Sequence, residues 1–173
     1  VSEAVSLHGV GSDFDVNKEF VVVMQHPETD SFDKSYDRMI KTLEAVDAVG
    51  LPPLIFWPNV DAASDATSKA IRVMRERGAL KAARYIKNLD SKLFLKLLSL
   101  CDCLIGNSSV GIRECSFMGV PTVNIGQRQQ GRQSANNVMY ADWNLNEIQN
   151  AINYQIENGK YESSEIYGDG FSG

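Results

Sequence analysis

No run of apolar residues in this chain approaches the roughly 18 needed to cross a bilayer, so no membrane-spanning segment is expected. No signal-peptide pattern is read either. Histidine is scarce, with His8 and His26 the two examples. Cysteine is scarce too. Cys101, Cys103 and Cys115 are odd in number, and their spacing fits neither a zinc site nor a redox pair. They read as buried thiols of a protein in a reducing cytoplasm, and no metal is suggested by ligand spacing. Positive charge is in deficit, with a net charge of −5, which gives a nucleic-acid role no electrostatic support. Internal repeats and low-complexity tracts are missing, as are the GxGxxG and Walker A patterns. The first residue is Val1 rather than methionine, which reads as a piece cut from a longer chain.

What is there suits one α/β domain. The chain has 173 residues, 43% hydrophobic and 23% charged, the composition of a soluble globular protein. "EFVVVM" (Glu19–Met24) is a short, continuously apolar, β-branched run of the kind buried on both faces of a parallel sheet. Leu54–Trp57, Ala83–Ile86, Cys103–Ile105 and Thr122–Ile125 repeat the pattern. Helical spacing fills the gaps. Met39, Ile40, Leu43, Val46 and Val49 share one face; Ala70, Ile71, Val73 and Met74 share another. Asp90 or Ser91 can cap a helix carrying Phe94, Leu97 and Leu98. Ile112, Cys115 and Met118 mark a short helix ending at Gly119, and Leu145, Ile148, Ile152 and Ile156 mark the last. Strands alternating with helices predict a Rossmann-like three-layer α/β/α fold with a parallel sheet over residues 19–157. Residues 1–18 read as a linker remnant and residues 158–173 as a loop-like tail.

In such sheets ligands sit beyond the carboxyl ends of the strands, so the loops there are the ones to read. "GNSSVG" (Gly106–Gly111) lies between a strand and a helix. Helix-terminal amides, close-approaching glycines and the hydroxyls of Ser108 and Ser109 can cradle a phosphate; a polar turn with a serine cap is the equal alternative. Glu114, one turn on, suits a pair of sugar hydroxyls or is a solvated helix glutamate. Arg128 and Arg132 in "GQRQQGR" can fork onto phosphate oxygens or belong to a mobile basic loop. His26, directly after the first strand, can donate to phosphate, shuttle a proton or simply shape its loop. Asn59 and Asp61 in "WPNVDA" can reach the cleft or cap the next helix. From Asn107 to Asn136 the arginines Arg113, Arg128 and Arg132 face one acid, Glu114, a local basic patch that suits a small anionic ligand.

Assembled, "QHPETD", "WPNVDA", "GNSSVGIRE", "GVPTVNIGQRQQGR" and "IYGDG" resemble the UDP-N-acetylglucosamine 2-epimerase family, in that family's order. The resemblance covers nearly all of this chain but only the carboxyl-terminal half of the family's enzymes, which have two Rossmann-like domains in the glycosyltransferase-B arrangement. It implies that His26, Ser108, Ser109 and Arg128 hold the UDP diphosphate, that Glu114 binds the ribose and that Phe94 lies against the uracil. The leucines around Phe94 fit plain core packing equally well. Asn59 would contact the nucleotide-sugar, and His26 would be the catalytic residue of this half. No cofactor is implied; UDP or a UDP-sugar is the ligand and the missing amino-terminal domain is the partner. A homo-oligomer of the full-length form is compatible with this reading.

"QHPET" resembles the family's hydrolysing branch, which releases UDP and free N-acetylmannosamine for sialic or nonulosonic acid synthesis. A 2,4-diacetamido-trideoxy sugar is an alternative substrate. The acids for proton transfer at the sugar would lie mostly in the absent domain, so this piece alone is expected to be inactive. A glycosyltransferase of the B fold and a non-catalytic UDP-sugar-binding domain are the competing readings.

Overall fold

The apolar runs become strands because they can be covered on both sides. The computed structural model describes residues 1–28, 32–58 and 64–168. Its strands are β1 (Gly9–Gly11), β2 (Val21–Met24), β3 (Pro53–Phe56), β4 (Arg84–Ile86), β5 (Cys103–Gly106), β6 (Thr122–Ile125) and β7 (Val138–Ala141). Its helices are α1 (Ser2–His8), α2 (Ser35–Val49), α3 (Ser64–Glu76), α4 (Ser91–Leu100), α5 (Glu114–Met118) and α6 (Leu145–Asn158). One sheet forms in the order β1-β4-β3-β2-β5-β6-β7. All its pairs are parallel except β1 with β4.

Alternation along the strands sorts side chains between two cores. Val21, Val23, Ile55, Cys103, Ile105, Val123 and Ile125 pack with α2, α3 and α6 through Leu43, Ile71 and Ile152. Val22, Leu54, Phe56, Ile86 and Leu104 pack on the other face with Leu97 and Leu98 of α4, Cys115 of α5 and Val5 of α1. This is the expected three-layer arrangement. Asp90, one of the two expected caps, is the one used: its carboxylate accepts from the amides of Lys92 and Leu93 at 3.0 and 3.4 Å.

Three expectations need correction. Residues 1–18 are not a linker remnant. They supply α1 and the edge strand β1, and Arg84 holds them by donating to the carbonyls of Val5, Ser6, Gly11 and Ser12. A seventh strand, β7, was not expected; it lacks a continuous apolar run because it is an edge, with Tyr140 exposed. The helix expected around Ile112 is split into a 3-10 turn (Ser109–Gly111) and the five-residue α5. The tail up to Gly168 has no helix or strand beyond the end of α6, but it is fastened: Lys160 Nζ donates to Cys101 O at 2.7 Å and Tyr161 N to Gly119 O at 2.9 Å.

The parallel strands step outward in opposite directions from β2 and β5. The crevice between the carboxyl ends of those two strands is therefore the switch point of the fold, where such sheets leave room for a ligand.

All three cysteines are free and buried. Burial pushes the Cys101 thiol up to about 12 and raises Cys103 and Cys115 as well. The folded chain thus holds protons that the unfolded chain releases above about pH 8.5. Its stability should fall as pH rises from there towards about 12. A thiol-titrating disulfide reagent should find no reactive cysteine in the folded chain near pH 8 and all three after unfolding; a thiol that reacts at once in the folded chain contradicts this packing.

Candidate functional site

The site begins where β5 ends. Gly106 has φ +140, and a Cβ there would overlap the carbonyl of Met24, so only glycine lets the two strand ends come this close. Asn107 follows, fully buried. Its amide donates to Met24 O at 3.1 Å. Its side chain then accepts from His26 N at 2.7 Å and donates to His26 O at 2.9 Å. A carboxamide is the side-chain copy of a peptide group, so Asn107 extends the β2–β5 ladder past the strand ends. His26 is thereby fixed at the mouth of the switch point.

The carbonyl of Asn107 joins a third loop. It accepts from Gln129 Nε2 at 2.8 Å and from Arg128 Nη1 at 3.2 Å. Arg128 is itself exposed, with its guanidinium held beside the residue that precedes Ser108. Its loop is anchored at the other end by the buried Glu28, whose Oε1 accepts from the amides of Gln127 and Arg128 at 3.0 Å each.

A cleft of about 420 Å³ opens at the ends of β2 and β3, beside the segment that follows β5. Met24, Gln25, Phe56 and Val110 line it from the sheet side; Trp57, Lys87, Asn88 and Leu89 come from the loops after β3 and β4. His26, Ser108, Glu114 and Phe94 are all among its walls. Phe94 meets Phe56 edge to face at 5.4 Å, as core packing would have it, and also lines the cleft. Ser108 makes no side-chain capping bond to the turn that follows it. The first amides of that turn, Ser109 and Val110, have no acceptor within it. The short turn and five-residue helix provide much less dipole than the single helix expected there.

Other residues lie elsewhere. Ser109 adjoins the cleft without lining it, and Arg128 stands behind Ser108 rather than in the walls. Asn59 and Asp61 lie outside the described residues, although Trp57 and Pro58 just before them line the cleft. The expected basic patch is dispersed. Arg113 faces a second groove with Phe117, Met118 and Tyr167, and Arg132 a third with Tyr140, Asp142 and Glu147. Lys87 supplies a cation to the cleft that sequence reasoning did not single out, though its place directly after a strand was the available signal. Asn107 and Glu28 were also missed, because the bonds that tie them to the site run to backbone groups far along the chain.

A family model described as UDP-N-acetylglucosamine 2-epimerase matches residues 3–173. A protein of Legionella pneumophila named UDP-N,N'-diacetylbacillosamine 2-epimerase (hydrolyzing) is 30% identical over 158 residues, 91% of this chain and 41% of that protein. The structure of UDP-GlcNAc 2-epimerase from Methanocaldococcus jannaschii superposes with TM-score 0.68 at 13% identity, over 91% of this chain and 43% of that one. A co-structure of S. aureus MnaA with UDP gives TM-score 0.63 at 15% identity, over 90% and 42%. The chain thus spans about two fifths of the length of these relatives.

Replacing Asn107 by alanine removes the partners of both His26 backbone groups. Asn107→Ala should cost about 2–4 kcal/mol, or roughly 4–16 °C in Tm for a chain of this size. Asn107→Asp puts an acceptor against the His26 carbonyl and should be no milder. Thermal unfolding checks both; an unchanged Tm for either variant contradicts the clamp.

Proposed function

Because the chain belongs to the UDP-N-acetylglucosamine 2-epimerase family, we propose that it is the nucleotide-binding half of a hydrolysing 2-epimerase, acting on UDP-N-acetylglucosamine or a related UDP-2-acetamido sugar. The observation that carries this reading is the cluster made by Asn107: His26, Ser108 and Arg128 are brought from three loops to one point at the switch of the sheet. Phe94 and Glu114 stand on the walls of the same cleft. The bound UDP of the S. aureus relative supports a uridine nucleotide as the ligand, and the hydrolysing branch is supported by the name of the Legionella relative and by "QHPET".

In this assignment the diphosphate lies against Ser108 and Ser109, with His26 and Arg128 as further donors. The ribose hydroxyls meet the Glu114 carboxylate, and the uracil lies on Phe94. Asn59 reaches the nucleotide-sugar from the loop after β3.

The reaction begins when a base takes the proton from sugar C2. The electron pair left at C2 forms the C1–C2 double bond as the bond from C1 to the diphosphate oxygen breaks. Water then adds its oxygen to C1, and a proton returns to C2 from the opposite face. The products are UDP and the free 2-acetamido sugar with C2 inverted. This chain's residues act on the leaving group: positioned donors meet the negative charge as it grows on the diphosphate, which is where they lower the barrier most. The proton-transfer acids belong mostly to the amino-terminal domain that completes the cleft. All three thiols are free, which goes with a reducing, cytoplasmic setting.

Calorimetry and thermal shift with UDP test the nucleotide site. At ten times its Kd, UDP should add about 1.4 kcal/mol of stability and raise Tm by roughly 3–6 °C. No heat and no shift up to about 10 mM UDP would remove the basis for the assignment. The full-length protein should release UDP and free 2-acetamido sugar without any acceptor, and this chain alone should not. Turnover that requires an acceptor would indicate a glycosyltransferase instead.

A further inference from the structure

Glu28 is a buried carboxylate that the reaction scheme leaves unused. It is 8% exposed and sits two residues after His26. One oxygen, Oε1, receives the two consecutive amides of Gln127 and Arg128 at 3.0 Å each. The other, Oε2, pairs with Arg38 Nη1 of α2 at 2.6 Å. The Arg38 guanidinium lies 4.9 Å from the centre of the Trp143 ring. Gly126, with φ +77, brings the loop so close that a Cβ there would stand 2.7 Å from Glu28 Oε1 and 2.6 Å from Trp143 Nε1. A carboxylate this buried is costly without partners. Here its partners are the counter-charge of Arg38 and two amides that the loop conformation turns towards one point.

We infer that Glu28 is a positioning residue for Arg128, a role that rests on the UDP reading above. The clamp fixes the backbone at Gln127 and Arg128. That leaves the exposed Arg128 side chain a short, defined path to the Asn107 carbonyl, where its Nη1 sits at 3.2 Å. An arginine on an unpinned loop has to give up its rotamer freedom and the loop's own freedom when it meets an anion. The clamp settles the backbone share of that cost before the ligand arrives. Glu28 repels an anion by its charge, so its contribution to binding comes through the loop and not through contact. Arg38 neutralises that charge on the side away from the two amides.

The test is a double-substitution cycle on UDP affinity, with the folded state checked by circular dichroism. Glu28→Ala should weaken UDP binding about tenfold, as should Arg128→Ala. Since both act through one guanidinium, the double variant should also lose about tenfold and not about a hundredfold. Glu28→Gln keeps an oxygen for the two amides and nearly the same volume. It should stay within about threefold of the parent; if the alanine variant does not fold, Glu28→Leu, similar in volume and without an acceptor for the two amides, takes its place in the cycle with the same tenfold loss expected. In the absence of UDP, amide exchange at Gln127 and Arg128 should accelerate in Glu28→Ala and not in Arg128→Ala.

Multiplicative losses in the double variant, or unchanged affinity in Glu28→Ala, would overturn the inference while leaving the UDP site in place. A parent chain that binds no UDP would overturn the nucleotide reading and this role together.

Discussion

Two hydrogen bonds from the Asn107 side chain to the His26 backbone are what the rest of the site is built on. Strand pairing between β2 and β5 ends at Met24 and Gly106. Beyond that point the two chains would be free to diverge, since each enters a loop. Asn107 prevents it by offering the same donor and acceptor that another strand residue would have offered. It can do so only because Gly106 allows the backbones to approach. The carbonyl of the same residue then collects Arg128 and Gln129. One buried residue therefore sets the relative positions of three loops that carry the candidate ligand groups.

This arrangement differs from an anion site made by a helix N-terminus. The structure after β5 is a 3-10 turn followed by a five-residue helix, so there is little aligned dipole to draw on. Polar and cationic side chains from other loops stand here instead: His26 after β2, Arg128 after β6 and Lys87 after β4. Side chains from separate loops hold a geometry only if the loops are tied to each other. Here that tie runs from Thr42 on Gln25 through Glu28 to Asn107.

The central fold was legible because it rests on a simple requirement. Val21–Val23, Leu54–Ile55 and Leu104–Ile105 are apolar at every position, and only a strand covered on both faces uses such a run. The edges were not legible for the same reason. β1 is a Gly-Val-Gly segment with Val10 58% exposed, and it is held by β4 and by Arg84 reaching carbonyls up to 79 residues away. At the site, His26 and Ser108 could be named because each follows a strand, Glu114 by its helical spacing from that loop, and Phe94 only through the family resemblance. Asn107 and Glu28 could not, because the bonds by which they join the loops cross 81 and about a hundred residues of chain to backbone groups that any sequence has. The arginines between Arg113 and Arg132 read as one patch, but the turn after Ser108 and the bend at Gly126 send them in three directions.

In the proposed reading, Asn107 gathers these loops into one nucleotide site. Nitrogen-15 shift mapping of the chain during titration with UDP tests it most directly. The amides of His26, Phe94, Ser108, Glu114 and Arg128 should respond together, along a single saturation curve. A response confined to the groove of Arg113, Phe117 and Tyr167, or one in which Arg128 moves independently of His26 and Ser108, would contradict it.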